Sequence, residues 1–179
     1  MKKNIRLWQL GGFFFTAVAG TLLHFLFDWT GQNSVAALFS AVNESIWEHM
    51  KLLFYPLLVV AVLEYRAWGK DYPQFWCIKV SGILLGLVLI PVLYYTYTGV
   101  LGQSADWFNI TIFFLVAGLV FGLETRWLQE GKSCDLSQAT ALALVVVLIV
   151  LFTGWTVSPP RLPLFQDPQT GTYGFPPTR

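Results

Sequence analysis

Five runs of about 20 mostly apolar residues fill the chain from Leu7 to Val157, and no other feature restricts the possible folds as strongly. In hydrocarbon every backbone polar group must be satisfied within the protein, which leaves helices for runs of this length. The runs cover about 7–28, 44–67, 75–100, 107–128 and 136–157, each long enough to span. The expected fold is an all-α integral membrane protein. Residues 1–157 form one helical domain, and residues 158–179 form a Pro-rich tail. Composition agrees, since 55% of the 179 residues are hydrophobic and mean hydropathy is +0.58, too apolar for an ordinary soluble domain. The net charge of +1 argues against a nucleic-acid partner and leaves the lipid bilayer as the expected surroundings.

Punctuation between the runs sets the organisation. Lys2, Lys3 and Arg6 precede the first run, and Ala17-Val18-Ala19 has the look of a signal-peptidase site. Cleavage there would cut an apolar segment that continues to Phe27, so an uncleaved first span is expected. Residues 34–42 are apolar but too short to span, and predict an interfacial or re-entrant helix. Pro56 and Pro91 predict kinks in spans 2 and 3. Gly82 with Gly86 and Gly118 with Gly122 are GxxxG pairs, which suit close helix packing within the chain, a homo-oligomer or a partner membrane subunit. Tyr94, Tyr95 and Tyr97 predict an interfacial belt.

Orientation follows from the basic residues near the span ends. Lys2, Lys3, Arg6, Arg66, Lys70, Lys79, Arg126 and Lys132 fall on one side, and Lys51, Arg161 and Arg179 on the other. The positive-inside rule therefore predicts a cytoplasmic N-terminus and an external tail. Cys77 and Cys134 fall on the cytoplasmic side and are expected as free thiols. Lys79 is expected to snorkel to headgroups, and Glu64 and Glu124 to be solvated at the same interface.

The outer ends of the spans hold the chemistry. Asn43-Glu44-Ser45-Ile46-Trp47-Glu48-His49-Met50-Lys51 concentrates polar groups at the mouth of an apolar run, where they cost free energy unless paired or hydrated. His24 and Asp28 end span 1 at that depth, and Asp106 and Asn109 begin span 4 there. His24 and Asp28 share one helical face through their spacing of four. His24, Asp28, Glu48 and His49 are the candidate metal ligands. Glu44, Glu48 and His49 are the candidate catalytic groups. Asn43, Lys51, Asp106 and Asn109 are the candidate substrate- or ion-binding groups. Mixed imidazole and carboxylate ligation suits zinc, iron or manganese. Two histidines at one depth also suit axial haem ligation, but dense carboxylates do not suit a mostly apolar haem pocket.

Structural readings compete with each of these. Ser45-Ile46-Trp47-Glu48 fits a capping box. Glu48 and Lys51, three apart, can simply pair. His24 can hydrogen-bond Asp28, and Asp106 can cap span 4.

The cluster Asn-Glu-Ser-Ile-Trp-Glu-His and the tail motif from Pro159 to Gly174 (PPRLPLFQDPQTGTYG) together resemble a family of small bacterial multi-spanning membrane proteins of unknown function. The resemblance covers the whole chain and implies a bacterial cytoplasmic (inner) membrane location, with these two motifs as the family's characteristic stretches. It implies no activity, no cofactor and no catalytic residue. It implies that the tail is more than a frayed end, and the tail is expected to fold back over the outer mouth, anchored by Phe165 and Tyr173.

Three functions fit the residues, so whether the chain is an enzyme stays open. One is a metal-dependent membrane enzyme acting on a lipid-like substrate, with a glutamate as general base. Another is a transporter or substrate-binding membrane subunit for a small solute or ion. The third is a structural or assembly protein whose polar cluster only caps helices and pairs charges.

Overall fold

The computed structural model describes residues 4–132 and 134–175. Lys2, Lys3, Arg179 and the last two tail prolines, all used in the reading above, lie outside the described residues. Among the described residues there are six α-helices and no strand: α1 (Ile5–Trp29), α2 (Ser34–Ala37), α3 (Ile46–Ala67), α4 (Phe75–Leu101), α5 (Asp106–Glu130) and α6 (Gln138–Val157). All but α2 are long and apolar enough to cross a bilayer.

Local chemistry explains the boundaries. The side chains of Asn4, Ser45 and Ser137 accept from the amides of Leu7, Glu48 and Thr140 and so start α1, α3 and α6. Gly102 and Gly131 close α4 and α5 at φ 71° and 60°, a conformation that costs glycine no Cβ clash. The apolar stretch expected as one helix over residues 34–42 keeps only four helical residues. Ser40 bonds back to the Ala36 carbonyl at 2.7 Å, and Lys51 Nζ takes the Ala37 carbonyl at 2.9 Å. Local side-chain bonds thus compete with continuation of the helix. α3 begins at Ile46 rather than at residue 44, so Glu44 lies on the loop and not on the helix. Both α3 and α4 run unbroken past Pro56 and Pro91.

α1, α3, α4 and α5 pack in a ring, with α6 laid against α4. Glycines set the close approaches. A Cβ at Gly20 of α1 would fall 2.7 Å from the Leu52 carbonyl of α3, and one at Gly12 2.8 Å from Val60. Gly82 and Gly86 face α5 and α3, so this GxxxG pair serves packing inside the chain, whereas Gly122 meets open space.

Two large apolar clusters and a small third one, of Phe27, Ala37 and Val42, fill the interior. At the end where α3 begins, Trp47 lies 4.5 Å from the Phe152 ring and 4.8 Å from that of Phe165. Phe165 belongs to the tail, which folds back across this end. Asn43 Nδ2 donates to the Gly174 carbonyl at 2.8 Å, and Asp167 Oδ1 accepts from the Gln169 amide at 2.8 Å to form the intervening turn. At the opposite end, Trp68, Phe75 and Trp76 pack together.

The cysteines differ from expectation. Cys77 near the start of α4 and Cys134 in the α5–α6 connection form a disulfide. Their separation of 57 residues carries no signal of this in the sequence. The pairing arises because the connection after Gly131 returns beside the start of α4.

Candidate metal centre

His24 stands near the end of α1, on the same face as the buried Thr16 and Gly20. The chain then turns through α2 and reaches Asn43, whose side-chain oxygen accepts from the Ser45 amide at 2.9 Å. This turn presents Glu44 to the end of α1. Ser45 starts α3, and His49 lies one turn in.

The histidine tautomer follows from one contact. His49 Nδ1 lies 2.9 Å from the Ser45 carbonyl oxygen. A carbonyl only accepts, so Nδ1 carries the proton and the lone pair of a neutral ring sits on Nε2. That Nε2 is 3.4 Å from Glu44 Oε2, and His24 Nε2 is 3.7 Å from the same oxygen. One ligand atom from each of His24, Glu44 and His49 lies within 4.8 Å of the others. Three electron-pair donors therefore converge on one small volume. The His24 imidazole holds the Glu44 carboxyl below the usual carboxylate range, partial burial opposes this, and His49 and the charge of His24 add to the lowering. All three side chains are part-buried, between 27% and 37% exposed.

The cluster opens into two adjoining cavities of ≈ 300 and ≈ 440 Å³. Asp106 and Asn109, at the start of α5, line both, as do Glu44 and His49. Tyr97 hydroxyl donates to Asn109 Oδ1, and Asn109 Nδ2 donates to Ser104 at 3.1 Å, which fixes the amide. Gln169 of the tail closes both cavities from above. The larger one runs between α1 and α5, past Phe25, Ile110 and Phe114, which are exposed on the flank of the bundle.

The other expected residues lie elsewhere. Asp28, one turn beyond His24, is exposed and does not join the group. Glu48 turns into the interior. It pairs with Lys51 at 2.6 Å and accepts from the Val42 amide at 3.0 Å, so the second bond of the expected capping box reaches Val42 rather than Ser45. Lys51 Nζ also donates to Thr156 Oγ1 at 2.8 Å. With the Ala37 carbonyl, all three of its protons are placed. Asn43 is occupied in tying the loop to the tail.

A second polar group went unanticipated. Lys79 is not snorkelled, and Glu64 and Glu124 are not solvated. Lys79 Nζ lies 2.5 Å from Glu64 Oε2 and 2.5 Å from Glu124 Oε2, and all three side chains are buried. Gln9 Nε2 donates to both Glu64 oxygens at 3.1 and 3.2 Å. The signal was present in the sequence: opposite charges lay inside three different runs at one end, with Gly82 one turn from Lys79.

Comparison with curated proteins and with solved structures gives no match. A family model does match, over residues 1–175. The chain therefore belongs to the family of unknown function DUF6512.

Proposed function

We propose that this is a five-span membrane enzyme in which His24, Glu44 and His49 hold a divalent metal, zinc, iron or manganese, for chemistry on a lipid-like substrate. The observation that carries this reading is the convergence of three donor atoms, one of them on an imidazole whose other nitrogen is already bonded to a carbonyl. Metal-bound histidines are held by just such a second bond. Two imidazoles and one carboxylate form a three-ligand set that leaves a further position open, as hydrolytic zinc sites do. A metal there supplies a Lewis acid or an activated water. Asp106 and Asn109 face the same space and are placed to accept a proton and to orient a polar headgroup. The cavity between α1 and α5 passes apolar side chains on the lipid-facing flank, which suits an acyl chain entering from the side.

The resemblance to small bacterial multi-spanning proteins supports a bacterial cytoplasmic membrane, and the basic-residue count supports an N-terminus inside and a metal cluster outside. Elemental analysis of detergent-purified protein, wild type beside His49→Ala, tests the metal. Near-stoichiometric zinc, iron or manganese in the wild type and its loss in the variant are expected. A wild type that takes up none of the three on addition overturns the reading.

A second reading, a transporter or binding subunit for a cation or small solute, is favoured by the charged group buried inside the bundle. It uses the same cavity without a reaction and allows a second copy packed at the open Gly118–Gly122 face. Solute-dependent uptake in proteoliposomes, with no turnover of lipid, would select it.

A further inference from the structure

We propose that Glu64, Lys79 and Glu124 form a membrane-embedded proton-binding site, which holds one exchangeable proton shared between the two carboxyl groups at neutral pH. Charge and geometry within this group carry the proposal, independently of the metal cluster. Lys79 Nζ stands between the carboxylates at 2.5 Å from each, with both side chains no more than 1% exposed. Two carboxylates and one ammonium leave a net charge of −1 buried among apolar helices near one end of the bundle. An unbalanced charge there costs several kcal/mol, and a bound proton removes it.

Among the described residues no other ion balances the group. α1 contributes only the neutral Gln9 to it, and Arg6 on the same helix is exposed. From α3 comes Glu64, from α4 Lys79 and from α5 Glu124. α6 has no ionisable residue, and Arg126 is exposed and bonded to Glu130. The remaining neighbours of Lys79 Nζ are the Phe75 and Phe121 rings, at 5.8 and 5.7 Å.

A second observation points to a missing donor. Gln9 is 2% exposed, its Nε2 is bonded to Glu64, and its Oε1 is buried without a partner. A buried acceptor beside the Glu64 carboxyl group calls for a proton-bearing group. A groove of ≈ 300 Å³ between α1 and α3, past Leu7, Gly11, Gly12 and Leu63, reaches Glu64 from the surface. On release the proton passes to solvent, and the group is left at −1.

Infrared spectroscopy of the whole protein in nanodiscs tests this. A protonated-carboxyl band is expected at neutral pH, where a free glutamate is ionised, and should be lost on titration to alkaline pH. It should be absent at about pH 7 in both Glu64→Gln and Glu124→Gln, because either change leaves one carboxylate balanced by Lys79. It should persist, shifted in frequency, in Gln9→Leu, which keeps the charges intact. Absence of the band in the wild type, its survival in either glutamine variant, or an unshifted band in Gln9→Leu overturns the proposal.

Discussion

His49 commits one ring nitrogen to the Ser45 carbonyl and points the other at Glu44, so its state is tied to the start of α3. Metal binding at the cluster needs neutral imidazoles, whereas Glu44, already held below the ordinary carboxylate range, stays ionised throughout. The expected outcome is that zinc affinity falls on acidification, because protons compete with the metal for the imidazole nitrogens. Isothermal titration at several pH values checks it. Lys51 makes the opposite case. Its charge is fully enclosed, so Lys51→Met strands the Glu48 carboxylate and should cost about 3–5 kcal/mol. Thermal unfolding should show this loss, while metal content, judged by elemental analysis, stays near that of the wild type. The sequence put Glu48 with Glu44 and His49 because a helix starting at residue 44 would align Glu44 and Glu48. With the start at Ile46, Glu44 swings free on the loop, and Glu48 points inward one residue before His49 points to the cavity.

Among the elements, α1 brings only His24 to the cluster, and Gly20 one turn earlier sets how near it comes. Gly20→Ala would drive a methyl against the Leu52 carbonyl and the Phe113 ring. Overpacking of this kind costs about 1–3 kcal/mol and would move α1 outward. Zinc affinity should fall by about tenfold or more, as when a supporting contact of a metal ligand is lost, whereas Gly11→Ala, with open space around it, should leave affinity unchanged. Paired measurements of affinity on these variants separate register from simple presence of the ligand. The five long helices were legible because each is an apolar run with caps. The shortness of α2 was not, because it depends on Lys51, which comes from another element. The disulfide was not legible either, since it depends on where a loop returns.

At the scale of the whole molecule, basic residues crowd the end that also carries the disulfide. In the orientation proposed from the charge count that end faces the cytoplasm, although disulfides ordinarily persist in oxidising compartments. A membrane-impermeant thiol reagent applied to whole cells should label Gln169→Cys and spare Gln129→Cys. The reverse pattern would invert the orientation and put the disulfide on the oxidising side. The depth of the polar groups has its own consequence. Gln9 and His24, His49 and Glu64, and Asn109 and Glu124 are each separated by 15 residues on one helix. At 1.5 Å per residue this is about 22 Å, so three helices each carry a polar residue in both layers. Hydrocarbon is about 30 Å thick, so roughly three-quarters of a transmembrane voltage falls between the layers. A unit charge gained in one layer does work of about 2.3 kcal/mol per 100 mV over the full thickness, so the occupancies of the two layers respond unequally to the cell's electrical potential.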